Sequence, residues 1–195
     1  SNGTLAEPVA VEMESFSVKA NAFAGTFSLS AETISMNLQE GTSAQVDVTL
    51  ANAFSIAGVQ ADIVLPENLI VEEIIKGARV PENYNPKPSS LETSGTVTLS
   101  SLIVEDFEGN DGVVFSLKLK AIGEVKGQLV VKNMIATEKS GATAFEIDGE
   151  ETVDVDFFYV YYNVNIAENV ENGTVTADKE KALSGETVAL AVTPN

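Results

Sequence analysis

The sequence predicts an all-β fold, an antiparallel β-sandwich, and three observations carry that prediction. Segments that alternate apolar and polar residues recur about every ten residues, the cadence of a sandwich. Helical spacing is nearly absent: only Asn68 to Lys76 shows it, and there Ile70, Val71, Ile74 and Ile75 are β-branched and favour strand. From Val46 to Leu65 the apolar side chains Val46, Val48 and Leu50, then Val59, Ala61, Ile63 and Leu65, occupy alternate positions, with Asp47, Thr49, Gln60 and Asp62 between them. That pattern is half-buried antiparallel sheet, with a short loop joining the two strands.

Taken in order, the expected strands begin with Val9–Met13 and Ser15–Val18, two short alternating runs, followed by Thr26–Leu29 and Thr33–Leu38. Ala44–Ala51 and Gly58–Leu65 are the pair just described, and Leu69–Lys76 is the β-branched run. Gly77 to Ser94 carries Pro81, Pro86 and Pro88, which fix φ and remove ladder donors, so it is expected as an irregular, ordered loop. Gly95–Ser101 precedes Gly112–Ile122, where Val113, Phe115, Leu117 and Leu119 are expected to face the core and Ser116, Lys118 and Lys120 the solvent. Gly127–Val131, Ala144–Ile147 and Thr152–Phe157 complete the expected sandwich.

A domain junction is expected near Phe157 to Val160. The apolar positions are odd-numbered up to Phe157 and even-numbered from Val160, and a one-residue slip exchanges the faces of a strand. Beyond it, Glu171-Asn172-Gly173-Thr174 is a type I′ hairpin signal and Leu183-Ser184-Gly185-Glu186 a second turn. The run Phe157-Phe158-Tyr159-Val160-Tyr161-Tyr162, apolar on both faces, suits a partner-binding strip or, the reading favoured here, a connector buried between two packed units.

Composition narrows the function. The 195 residues are 44% hydrophobic, enough for a real core, yet 11 Lys and Arg stand against 29 Asp and Glu for a net charge of -18. A phosphate backbone or an anionic membrane would be repelled, so neither nucleic acid binding nor direct membrane insertion is expected. Cys, His and Trp are all absent. Without Cys there is no thiol nucleophile or thiolate metal site, and without His the usual general base is missing, so an enzyme is not expected.

The segment from about Ile34 to Asp156 resembles a cohesin-like module. The matching pieces are Gln39-Glu40-Gly41-Thr42-Ser43-Ala44-Gln45-Val46, Gly58-Val59-Gln60-Ala61-Asp62-Ile63-Val64-Leu65-Pro66, and Gly109-Asn110-Asp111-Gly112-Val113-Val114-Phe115 followed by Lys118, Leu119 and Lys120. The resemblance implies a flattened jelly-roll sandwich, a carbohydrate-binding-module-like architecture, that binds a partner and performs no chemistry. Where dockerin-binding members carry Tyr-Asp, Leu65 and Pro66 stand, so no contact residue is carried over. The tail resembles the opening of an internalin-type B-repeat: Tyr162-Asn163-Val164-Asn165-Ile166, Glu171 to Ala177, and Gly185 to Pro194. Such repeats are spacers in bacterial surface proteins.

The expected organisation is therefore residues 1–33 as N-terminal extension strands packing on the sandwich, 34–158 as the cohesin-like sandwich, and 159–195 as a partial B-repeat. The implied function is that of a non-enzymatic, extracellular or cell-surface protein-interaction or spacer module. The alternative is a carbohydrate-binding module that assists polysaccharide degradation. The partner is accordingly a protein or a polysaccharide.

Two loops hold the candidate site residues. Asp106, Glu108, Asn110 and Asp111 place hard oxygen donors at close spacing, a pattern that suits Ca²⁺ and equally suits a solvated hairpin turn; no other cofactor is expected. Asn83, Tyr84 and Asn85 combine an aromatic ring with amides. They read either as a sugar-stacking platform or as a tyrosine packed on the sandwich edge.

Overall fold

The computed structural model describes residues 25–87, 90–139, 144–167 and 170–195, so the expected strands Val9–Met13 and Ser15–Val18 lie outside the described residues. Two sheets face each other. One has four strands in the order β1-β3-β8-β5, formed by Gly25–Leu29 (β1), Ser43–Asn52 (β3), Asp111–Ala121 (β8) and Leu69–Lys76 (β5). The other has six in the order β2-β10-β9-β4-β7-β6, formed by Thr33–Asn37 (β2), Ala144–Phe158 (β10), Val125–Thr137 (β9), Gly58–Val64 (β4), Gly95–Ser100 (β7) and Asn85–Lys87 (β6). No described residue is helical, and no helix is long and apolar enough to cross a membrane. The chain is an all-β sandwich, as its alternation predicts.

Alternation builds the core from both sides. Val46, Val48 and Leu50 of β3, Phe115, Leu117 and Leu119 of β8, and Leu69, Val71 and Ile74 of β5 meet Val59, Ala61 and Ile63 of β4, Val97 and Leu99 of β7, and Leu129, Val131, Val153, Val155 and Phe157 of β9 and β10. Each such side chain removed from water stabilises by about 1.5–3 kcal/mol. The segment from Val46 to Leu65 does not fold back on itself as a ladder: β3 and β4 enter opposite sheets and contribute to one core across the gap. The short loop between them is a crossing from sheet to sheet, which alternation alone cannot distinguish from a hairpin. Leu65 is only partly buried against this core.

Several register shifts break the pattern, one of them in β5 between Val71 and Glu73. In β8 an extra residue stands between Phe115, opposite Val48, and Val113, opposite Thr49, so Val114 takes a buried place and Val113 is half-buried. In β9 Asn133 adopts φ 50°, and the strand continues through it to Thr137, well past the expected end at Val131. The neighbouring strand carries its own irregularity between Ile147 and Glu150, with Gly149 at φ 107°, so the two expected strands Ala144–Ile147 and Thr152–Phe157 are one continuous β10. The third expectation to change is the proline-rich loop, which contributes Asn85–Lys87 to the sheet edge, where proline is tolerated.

The segment from Gly25 to Asn37 closes both sheets along one edge. β1 pairs antiparallel with β3, Ser30 N donates to Asp47 O at 3.0 Å, and the chain then changes sheets. Asp154 N donates to Glu32 O at 2.9 Å, and β2 runs parallel to β10 from Thr33 opposite Asp154 to Asn37 opposite Phe158.

After Phe158 the strands leave the sandwich sheets. Tyr161–Asn163 (β11) pairs with Lys181–Leu183 (β13), and Gly173–Ala177 (β12) with Leu190–Pro194 (β14). The Asn172-Gly173 signal marks a turn, with Asn172 at φ 64°, but not a hairpin between adjacent strands: β12 pairs with β14 instead. The Leu183–Glu186 turn forms as expected, with Glu186 N donating to Leu183 O at 3.1 Å. Tyr161 and Tyr162 are exposed, so the aromatic run is buried only over its Phe157 end.

Candidate functional site: a fixed apolar loop at one end of the sandwich

β3, β5 and β7 end, and β4, β6 and β8 begin, at the same end of the sandwich. The loops 53–57, 77–84 and 101–110 therefore meet there, and both sets of sequence-predicted site residues fall in them or at the strand ends beside them. Buried polar anchors bind the three loops together.

Tyr84 is the first anchor. Its ring is 1% exposed and meets Phe107 edge to face, centroids 5.3 Å apart. The hydroxyl lies 2.6 Å from Ala57 O and 2.9 Å from Glu105 O, to which it donates, and it accepts from Glu105 N at 3.3 Å. Burial, and secondarily the nearby carboxylates of Glu105 and Asp106, raises the phenol pKa against the lowering effect of its hydrogen bond to Glu105. The ring offers no open face on which a sugar could stack. The sequence marks an amphipathic aromatic in a loop; only packing decides which end of it meets water.

Arg79 is the second anchor, and residue-by-residue reading of motifs passes over it. It is 6% exposed and donates through Nε to Glu108 O at 2.8 Å, through Nη1 to Leu50 O at 2.6 Å, and through Nη2 to Asn52 Oδ1 and Gly109 O, both at 2.8 Å. Its own carbonyl accepts from Glu108 N at 2.8 Å. Burial lowers its pKa and the nearby Asp111 charge opposes that. The guanidinium fork suits four separate acceptors as no ammonium could. One signal was available: Arg79 is the sequence's single arginine, standing among lysines.

Smaller contacts complete the frame. Gly77 N donates to Val114 O at 3.0 Å, with no room for a Cβ against the Val113 and Val114 backbone. Asn83 Nδ2 donates to Ile103 O at 2.7 Å, and Asn83 O accepts from Ser101 Oγ at 3.1 Å. Asn52 N donates to Asn110 O at 2.8 Å, and Phe107 N to Ile56 O at 2.7 Å. Asn85 sits in β6 opposite Ser100, its side chain exposed. Thus Asn83 positions the loop, and Asn85 joins no common binding surface with Tyr84.

The frame supports an apolar projection. Leu102 is fully exposed, Ile103 is 67% exposed and Val104 41%. Half-exposed Phe54, from loop 53–57, lies at the same end and stacks on Phe145 at 6.3 Å and 15°. Asp106, Glu108, Asn110 and Asp111 are exposed around the loop, with Gly109 at φ 63° making the turn. Their side chains face the solvent on that turn. Among the described residues no group of three or more His, Cys, Asp or Glu side chains is placed to hold a metal ion.

A groove of about 410 Å³ also crosses the outer face of the six-stranded sheet, lined by Thr33, Ser35, Lys126, Gln128, Asp154 and Asp156. Its polar groups are engaged with each other: Gln128 Nε2 donates to Asp154 at 2.9 Å, and Lys126 stands 3.9 Å from Asp156.

Scanned against protein-family models the sequence gives no match, and a search of curated proteins also gives none. Solved structures are similar in fold. The cohesin of the Coh-OlpC–Doc435 cohesin–dockerin complex from Clostridium thermocellum is 14% identical, with 76% of this chain and 100% of that chain covered and a TM-score of 0.49. The cohesin module from a Clostridium perfringens family 33 glycoside hydrolase is 10% identical over 70% of this chain and 98% of that one, TM-score 0.48. A non-cellulosomal cohesin from the archaeon Archaeoglobus fulgidus is 14% identical over 67% and 90%, TM-score 0.45.

Proposed function

We propose that this chain is a non-enzymatic protein-interaction module of an extracellular or cell-surface bacterial protein, and that its contact surface is the loop end of the sandwich. The observation that carries the reading is the exposure of Leu102, Ile103 and Val104 on a loop held by Tyr84 and Arg79. Consecutive exposed apolar residues raise the free energy of the isolated protein unless a partner covers them. A loop already fixed loses little conformational freedom on binding, so its apolar area converts more fully into affinity. The extracellular setting and a spacer role for 159–195 rest on the B-repeat resemblance of the tail. The polysaccharide alternative loses the aromatic ring on which it rested.

The test is capture of proteins from a bacterial extracellular fraction by the chain and by its Ile103→Asp variant, together with calorimetry against a glycan panel. Retention of a protein by the unsubstituted chain and its loss with Ile103→Asp is expected, with glycans binding more weakly than about 1 mM. Glycan binding tighter than that, or protein capture indifferent to Ile103, would overturn the reading.

A further inference from the structure

Apolar exposure states that something docks on the loop; the charges around it state what kind of surface that is. We infer that Leu102, Ile103 and Val104 insert into an apolar pocket whose rim carries Lys and Arg, an inference that rests on the protein-interaction reading above.

Three features converge. Glu105, Asp106 and Glu108 follow the apolar residues within the same loop, all exposed, and none of their carboxylates forms an ion pair among the described residues. Two cations of the neighbouring loop region are engaged elsewhere. Arg79 is buried on four oxygen acceptors, and Lys76 Nζ lies 3.1 Å from Pro81 O and 3.2 Å from Glu82 Oε2. Lys139, which shares a groove with Val104, is the exposed cation on that side. The result is an apolar centre with a one-sided acidic border on a chain whose net charge is already -18.

That arrangement selects against the other occupants. A second copy would bring the same acidic border and the same net charge against the first, and like-charge juxtaposition costs several kcal/mol. An acidic or neutral pocket would leave the three carboxylates without partners. A basic rim matches them, steers the encounter at low salt, and leaves the central aliphatic side chains as the energetic anchor.

The probe is a phage-displayed library of constrained random peptides selected on the full chain, with the enriched peptides then synthesised and their affinities measured by fluorescence anisotropy. Four proteins are compared after circular dichroism confirms that each is folded: the unsubstituted chain, Ile103→Ser, the loop triple variant Glu105→Gln/Asp106→Asn/Glu108→Gln, and a charge-matched control on β10, Asp148→Asn/Glu150→Gln/Asp154→Asn. The control separates the loop carboxylates from the general attraction of an acidic protein for cations.

The inference expects enriched peptides in which apolar residues are flanked by Lys or Arg. Their affinity falls about tenfold or more with Ile103→Ser. It falls by a similar factor with the loop triple variant but by less than about twofold with the control, and the loop effect shrinks toward 1 M salt, where screening is short-ranged. Peptides lost with Ile103→Ser yet indifferent to the loop triple variant would overturn the basic-rim inference while leaving the protein-interaction reading standing. Peptides indifferent to Ile103, or no enrichment at all, would overturn both.

Discussion

Tyr84 and Arg79 do for three loops what a disulfide or metal does in chains that have the ligands for one. Replacing Tyr84 by Phe keeps the ring against Phe107 and strips the hydroxyl from Ala57 O, Glu105 O and Glu105 N. A loss of about 1–3 kcal/mol is expected in urea denaturation, the usual consequence of leaving buried polar groups unpartnered. The phenol also sets an alkaline limit. Because its folded pKa is raised above the ordinary 10.0, its contribution is fully present below that value and is lost as pH rises through the folded one. Midpoints measured across that window should fall in the unsubstituted chain and fall less in Tyr84→Phe; equal slopes would count against the assignment. Arg79→Lys retains the charge but cannot reach four acceptors, and a destabilisation of about 2–4 kcal/mol is expected. Ile103→Ser, by contrast, should alter stability by no more than about 0.5 kcal/mol, as exposed substitutions do.

At the scale of elements, Gly77 shows how closely β5 must leave the sheet beside Val113 and Val114. Gly77→Ala would place a methyl group against their backbone, and a loss of about 3 kcal/mol or more, read as a lowered thermal midpoint, is the expected result. Asp62 ties β4 to the bulge in β9 and to β7, accepting from Asn133 Nδ2 at 2.8 Å and Thr96 Oγ1 at 2.6 Å, and those bonds lower its pKa. Its contribution is present above the ordinary carboxylate range and fades as pH falls through the folded value. The regular parts of these elements were legible in the sequence, because period-two alternation is a direct record of which side faces the core. What stayed hidden was where the count slips: at Val114, at Asn133, at the Asp148–Gly149 step, where the sequence suggests two strands and the structure has one, and between Val71 and Glu73. The site was legible in part. The acidic turn and the tyrosine were visible, but whether Tyr84 faces water is a matter of long-range packing. Leu102, Ile103 and Val104 stand just past the expected strand Gly95–Ser101 with nothing to single them out, since exposure leaves no mark in composition.

At the scale of the molecule, the core lies between the two sandwich sheets, while β11 to β14 pair among themselves. Gln39 Nε2 donates to Ser184 O at 3.1 Å, and Tyr159 N to Glu124 Oε1 at 3.2 Å, both exposed contacts. A chain ending at Phe158 should therefore keep its thermal midpoint within about 10 °C of the full chain. A larger drop in calorimetry would show the tail to be part of the main core. The edge segment from Gly25 to Asn37 has a further consequence, which is mechanical. It descends one side of the sandwich, hydrogen-bonded first to β3 and then, in parallel, to β10, whose last residues lead out at the opposite end. A pull applied at Gly25 and Phe158 runs along these strands, so the hydrogen bonds of β2 and β10 are loaded together in shear and cannot be opened one at a time. The chain has no cysteine, so single introduced pairs can serve as handles for a force probe. Rupture between Gly25 and Phe158 should need a markedly higher force than rupture between Phe54 and Thr137, where the same sheets are peeled from one end; a module of this build holds hardest along the axis between the two ends of its own edge.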